Sequence, residues 1–145
     1  MINAAVLGSP IKHSLSPLLH SFAYKHLGIE ARYEAIEVRS GELSNFLSNT
    51  EKSAFSLTMP LKEEAVALAR SSSAIAQRIS SGNTLFNSDG NWNLTSTDVE
   101  GFKYALLGHG ISPVKSCLII GAGATARAAV AAVSSLSDSV EVINR

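Results

Sequence analysis

Four short polar clusters carry residue types able to bind and transform a small polar molecule: Ser14-x-Ser16-Pro17, Thr58-x-Pro60-x-Lys62, Asn83-Thr84 and Thr97-Asp98. Each sits at the end of a predicted strand, where ligands bind in open α/β sheets. Hydroxyls, an amide, one lysine and one aspartate together suit a small polyhydroxylated acid. Ser14 and Ser16 fall at a predicted helix start, where the helix dipole and hydroxyl donors favour a carboxylate. Taken alone, Ser16 fits an N-cap equally well, and Lys62 and Asp98 each read as a helix-end surface charge. Their joint occurrence at strand ends, upstream of a glycine turn, sets them apart.

That turn is Gly121-Ala122-Gly123-Ala124-Thr125-Ala126, a G-x-G-x-x-A pattern between an apolar run, Ser116 to Ile120, and an alanine-rich stretch, Ala124 to Ser135. Strand, glycine turn and helix form the context of a dinucleotide-binding fingerprint. Gly121 allows a tight turn, Gly123 lets backbone approach a pyrophosphate, and free N–H groups at the helix start face the phosphates. A glycine-rich turn that binds nothing is the plain alternative. The next strand, Ser139 to Ile143, closes a βαβ unit, and Asn144-Arg145 stands at its tip. NAD enzymes place an acidic residue there, whereas a guanidinium suits a 2′-phosphate. NADP is therefore favoured over NAD, with Arg145 as a simple terminal charge the competing reading.

The elements that must position these groups follow from local pattern. Ile2 to Leu7 reads as a strand, and Ser16-Pro17 opens a helix with Ser at N-cap and Pro at N1. Leu18, Leu19, Phe22, Ala23, His26 and Leu27 keep helical spacing, and Gly28 ends it. Strands are predicted over 31–38 and 54–58, and helices over 41–48, 62–70 and 73–79. Asn87-Ser-Asp-Gly-Asn91 is the turn of a hairpin. A helix over 98–107 and a linker over 108–113 lead to the glycine-turn strand. Alternating strands and helices give an α/β chain. It divides near residue 100 into an N-terminal α/β domain (1–100) and the first βαβ unit of a Rossmann-type dinucleotide-binding domain (101–145), which is incomplete because such a fold has two βαβαβ halves.

Composition narrows the function classes. The chain has 145 residues, with 12 basic and 12 acidic side chains and a formal net charge of zero. Neutrality gives no support for nucleic-acid or acidic-membrane binding. The stretch Leu118 to Val133 is too short for a membrane span and is broken by glycines and Arg127. One cysteine, Cys117, excludes an internal disulfide framework, fits a reducing cytoplasm, and falls inside a predicted core strand. The start of the chain lacks the basic and apolar regions of a signal peptide. The histidines (His13, His20, His26, His109) make no metal-ligand spacing, though His13 and His20 could share one helix side.

The motifs together resemble the shikimate dehydrogenase family. Gly8-Ser-Pro-Ile-Lys-His-Ser-Leu-Ser-Pro17 is similar to its N-terminal substrate motif. Phe55 to Lys62 resembles Asn-Val-Thr-x-Pro-x-Lys, Ser81 to Leu85 resembles Ala-x-Asn-Thr, and Ser96 to Gly101 resembles Asn-Thr-Asp-x-x-Gly. The glycine turn with Asn144-Arg145 is similar to the family's NADP turn and Asn-Arg-Thr clip. The resemblance covers the whole chain. It implies that Ser14 and Ser16 hold a substrate carboxylate, that Thr58, Asn83 and Thr97 bind ring hydroxyls, and that Lys62 and Asp98 form the catalytic pair. The implied reaction is reversible, NADPH-dependent reduction of 3-dehydroshikimate to shikimate, on the route to aromatic amino acids, by a cytoplasmic monomer or homodimer. A dual quinate/shikimate enzyme, or for these residues alone a non-catalytic substrate-binding module, are the alternatives.

Two positions depart from the family pattern: Ser56 and Ser96 stand where asparagine is usual, which bears on loop order and substrate contact. The resemblance also implies a further stretch after Arg145, with the rest of the nicotinamide sheet, a substrate-contacting Gln and a returning helix. Without it, the edge at Ile143 and the side chains of Leu118, Ile120, Val140 and Val142 are expected to lack covering neighbours.

Overall fold

A computed structural model describes residues 1–111 and 113–144. The chain runs β1 (Ile2–Gly8), α1 (Ser16–His26), β2 (Ala31–Glu37), α2 (Leu43–Asn49), β3 (Ala54–Leu57), α3 (Leu61–Leu68), β4 (Ser71–Ser72) and α4 (Ala74–Arg78). It continues with β5 (Thr84–Ser88), β6 (Asn91–Thr95), α5 (Asp98–Gly108), β7 (Val114–Ile120), α6 (Ala124–Val133) and β8 (Ser137–Ile143). The first strands form a sheet ordered β2-β1-β3-β5-β6-β4, and β7 and β8 form a separate parallel pair. Within the larger sheet only β5 is reversed, pairing antiparallel with β3 and β6.

Side-chain alternation along the strands builds two cores. Ala5 and Leu7 of β1 and Phe55 and Leu57 of β3 face a cluster completed by Leu43, Leu47, Leu61, Ala65, Leu85 and Leu94, so α2 and α3 cover that side. Ala4 and Val6 face the other side with Ile11 and Tyr33, beside Tyr24 of α1. β1 lies between β2 and β3, buried on both faces, as its unbroken Ala-Ala-Val-Leu run requires. A third cluster joins Ile79 after α4, Val99 of α5, and Ala128 and Ala132 of α6. Small alanines let α6 approach α5 closely.

Several sequence expectations need correction. Ser16 is not the N-cap: Leu15 takes that position with helical backbone angles and no side-chain cap bond. Ser14 does the local ordering instead, its hydroxyl accepting from the Ser16 N–H at 3.3 Å. His13 precedes α1, so it shares no helix side with His20. The spaced apolar residues Leu18, Leu19 and Phe22 of α1, and Leu27 just after it, do not face the core but are exposed. Cys117 is only partly buried, because β7 has a single partner strand. The two-residue β4, pairing with β6, has no sequence signal because Ser71-Ser72 is neither apolar nor β-branched. Leu118, Ile120 and Val142 are exposed, as expected from the open flanks of β7 and β8, with Ile143 beside them, whereas Val140 is half-buried. Among the described residues, no helix is long and apolar enough to cross a membrane.

Candidate active site

The polar clusters meet at one edge of the larger sheet. β1, β3 and β6 point their carboxyl ends to that edge, and β5, running the other way, begins there. Hence Thr58 just after β3, Asn83 just before β5, and Thr97 and Asp98 just after β6 converge although they are far apart in sequence. Ser14 and Ser16 arrive on the segment between β1 and α1. All of these residues, with Lys62, line a single cavity of about 560 Å3. His13, His20, Ser56 and Thr84 add further polar lining, over an apolar floor of Val6, Ile11 and Leu57.

Lys62 stands on the first turn of α3, and its Nζ donates to Asp98 Oδ2 at 2.7 Å, both side chains largely shielded from solvent. Asp98 opens α5, and its other oxygen accepts from Asn83 Nδ2 at 2.7 Å. Asn83 is used to capacity: Nδ2 also donates to Thr97 Oγ1 at 2.9 Å, while Oδ1 accepts from the Thr97 N–H at 3.1 Å and Thr84 Oγ1 at 2.9 Å. The amide thus locks the start of α5 to the start of β5. Ser96, buried, accepts from the Asp98 N–H through its hydroxyl at 3.4 Å, so a serine suffices to hold this turn. Gly8 allows the β1 and β3 loops to meet: a Cβ there would lie 2.4 Å from Thr58 Cγ2 and 2.8 Å from the Met59 carbonyl.

Ser56, the other departure, lies within β3 rather than in a loop and faces α1. Tyr33 Oη donates to its Oγ at 2.7 Å, and His20 stacks flat on the Tyr33 ring at 4.0 Å. Burial pushes the Tyr33 phenol above its ordinary pKa, partly offset by the bond to Ser56. Sequence reasoning does not single out Tyr33, His20 or His13 as site residues. The available signal is the strand period: Tyr33 pairs with Ala4, which carries the same inward face.

A second cleft, about 600 Å3, lies between this edge and the glycine turn. Gly121, Gly123, Ala124, Thr125 and Ala126 line one wall, and Thr58, Lys62 and Glu63 the other. Lys62 and Thr58 therefore line both cavities, while Asp98 lines only the first. Gly121 has φ +118°, where a side chain would be strained, and among the described residues nothing beyond the chain neighbours lies within 4 Å of a Cβ position at Gly121 or Gly123. Arg127 N–H makes the first i→i−4 bond of α6, to the Gly123 carbonyl at 3.1 Å, which leaves the N–H groups of Ala124, Thr125 and Ala126 at the open helix end. That end fits a phosphate. Gly121 N–H donates to the Ile143 carbonyl at 2.7 Å, bringing Asn144 beside the turn. Ala122 lies in the turn itself, and Arg145 lies outside the described residues.

With this geometry in view, residues 6–85 match the family model of the shikimate dehydrogenase substrate binding domain. The chain belongs to that family. It is 39% identical over 147 residues to the shikimate dehydrogenase (NADP(+)) of Thermus thermophilus, covering 100% of this chain and 56% of that protein. Among solved structures it is similar to shikimate 5-dehydrogenase from Thermus thermophilus in complex with shikimate, with TM-score 0.94 and 38% identity over 100% of this chain and 57% of that one. It is likewise similar to the complex of that enzyme with NADP(H) and shikimate, with TM-score 0.91 and 39% identity over 100% of this chain and 56% of that one. The chain spans about half the length of the curated relatives it matches. The family match ends at Leu85, so it contains Ser14, Ser16, Thr58, Lys62 and Asn83 but neither Asp98 nor the glycine turn.

Proposed function

We propose that this chain provides the substrate cavity, the acid–base pair and the pyrophosphate turn of an NADP-dependent dehydrogenase interconverting shikimate and 3-dehydroshikimate. Residues 1–100 serve the substrate and 101–145 begin the nucleotide-binding part. The observation that carries this reading is the position of Lys62, paired with Asp98 and lining both the hydroxyl-rich cavity and the cleft at the glycine turn. The relatives named for NADP(+), and the neighbour holding NADP(H) and shikimate, support the choice of ligands.

In this reading Ser14 and Ser16 donate to the substrate carboxylate near the start of α1, Thr58 and Thr97 orient the ring hydroxyls, and Asn83 joins them by exchanging its bond to Thr97 Oγ1 for a ring hydroxyl. Gly121 to Ala126 hold the cofactor phosphates, with Asn144 and Arg145 at the 2′-phosphate. When bound, NADP+ supplies the hydride acceptor for alcohol oxidation. As the carbon–hydrogen pair of electrons leaves the ring, the hydroxyl proton must leave its oxygen. Lys62 Nζ is the proton carrier, since it alone of the pair lines both cavities, and Asp98 holds the amine in place. Asn83 fixes the Asp98 carboxylate from its other side. Positioned proton transfer of this kind contributes about 10²–10⁴-fold to rate.

Calorimetry tests the ligand choice. Shikimate is expected to bind, and cyclohexene carboxylate, which keeps the carboxylate but lacks the hydroxyls, to bind at least about tenfold more weakly, because unpaired site groups penalise it. Equal affinity for the two would overturn the assignment of Thr58, Asn83 and Thr97.

A further inference from the structure

Arg127 belongs to the glycine-turn helix, yet its side chain is spent on the other part of the molecule. Its Nε donates to the Ile79 carbonyl at 2.7 Å, and its Nη2 donates to the Ser80 carbonyl at 3.2 Å and pairs with the Glu63 carboxylate. These partners lie on the two backbone segments that adjoin Lys62. Glu63 is its neighbour in α3. Beyond Ser80, the Gly82 N–H donates to the Lys62 carbonyl at 2.9 Å, and the following residue is Asn83, which holds Asp98. Beneath the guanidinium, Ile79, Val99, Ala128 and Ala132 are packed together. One forked cation thus ties α6, whose first N–H groups form the turn, to both backbone segments that set the place of Lys62.

A partly exposed ion pair alone contributes little. The backbone carbonyls alter that. A planar guanidinium reaches several acceptors in fixed directions at once, which an ammonium cannot do. Ser80 itself is held at φ +48°, a left-handed conformation that turns the segment toward the guanidinium.

We infer that Arg127 is a positioning residue that couples the glycine turn to the Lys62–Asp98–Asn83 group, so that a nucleotide at the turn and a polyhydroxy acid in the cavity each strengthen binding of the other. This rests on the ligand assignment proposed above. Linkage requires the effect to be reciprocal.

The test is a binding cycle on the whole chain: shikimate affinity with and without saturating NADP+, and the reverse, for the parent, Arg127→Ala and Arg127→Lys. The parent is expected to show about fivefold or greater mutual enhancement. Arg127→Ala should reduce it to no enhancement, with each ligand's separate affinity changed by less than about threefold, and Arg127→Lys should fall between. Retention of the parent's enhancement in Arg127→Ala would overturn the inference. A second readout needs no ligand: amide exchange at Gly82 should accelerate in Arg127→Ala while Leu7 and Phe55 keep their protection. Unchanged Gly82 exchange would also overturn it. If neither ligand binds the parent, the functional reading fails, and amide exchange still decides the role of Arg127.

Discussion

In β1-α1-β2 the strand is buried and the helix bare; in β7-α6-β8 the reverse holds. Ala5 and Leu7 of β1 have no exposed surface, whereas no residue of α1 is buried. Ile120 of β7 is 80% exposed, whereas Ala128 and Ala132 of α6 are fully covered. Both units are parallel pairs with a crossover helix, so pairing alone does not decide burial. What decides it is the set of further neighbours. β1 has β2 and β3 beside it and α2 and α3 across one face. α6 has α5 and the end of α4 against its alanines. The cavity-lining groups therefore project from the fully packed sheet, and the glycine turn rides on a unit anchored through its helix and Arg127.

The largest expected effect tests that contrast on stability. Leu7→Ala should cost about 2–5 kcal/mol, because it empties a sealed core. Ile120→Ala should change stability by less than about 0.5 kcal/mol, as for an exposed position. Denaturant midpoints for the two variants check this, and comparable losses would show that β7 is as buried as β1. Next in size, Gly8→Ala places a Cβ against Thr58 and the Met59 carbonyl. A cost of about 1–3 kcal/mol is expected, with shikimate affinity weakened through Thr58. Chemical denaturation with parallel calorimetry measures both, and unaltered affinity would remove Thr58 from the cavity contacts.

The smallest effect depends on pH. Burial raises the Tyr33 pKa in the folded chain above its unfolded value of about 10. The folded state therefore favours the protonated phenol. The associated stability is complete below the unfolded pKa and is lost as pH rises through the folded one. Tyr33→Phe should lose less stability than the parent as pH rises above about 10. Parallel losses in the two proteins would show that the ring tip is solvated.

Much of this arrangement is legible in the residues. β1, the αβ alternation, the hairpin at Asp89-Gly90 and the βαβ unit around Gly121 all follow from local pattern, and the same pattern puts the polar clusters at strand ends. Other features are not legible. Exposure of Leu18 and Phe22 depends on what packs across α1, which the 3.6-residue period cannot specify. Arg127 sits in a glycine-turn motif, and only its helix phase directs it to Glu63, Ile79 and Ser80 rather than to the cleft. The Tyr33–Ser56 bond joins β2 to β3 across the intervening β1, a relation that strand order alone provides.

The most direct test follows NADPH formation from NADP+ and shikimate in the parent and in Lys62→Ala, with the affinity of each ligand measured alongside. Turnover is expected to fall by about 10²–10⁴-fold with both affinities nearly unchanged. Unaltered turnover, or a loss fully matched by weaker shikimate binding, would contradict a proton-carrying Lys62 at the junction of the two cavities.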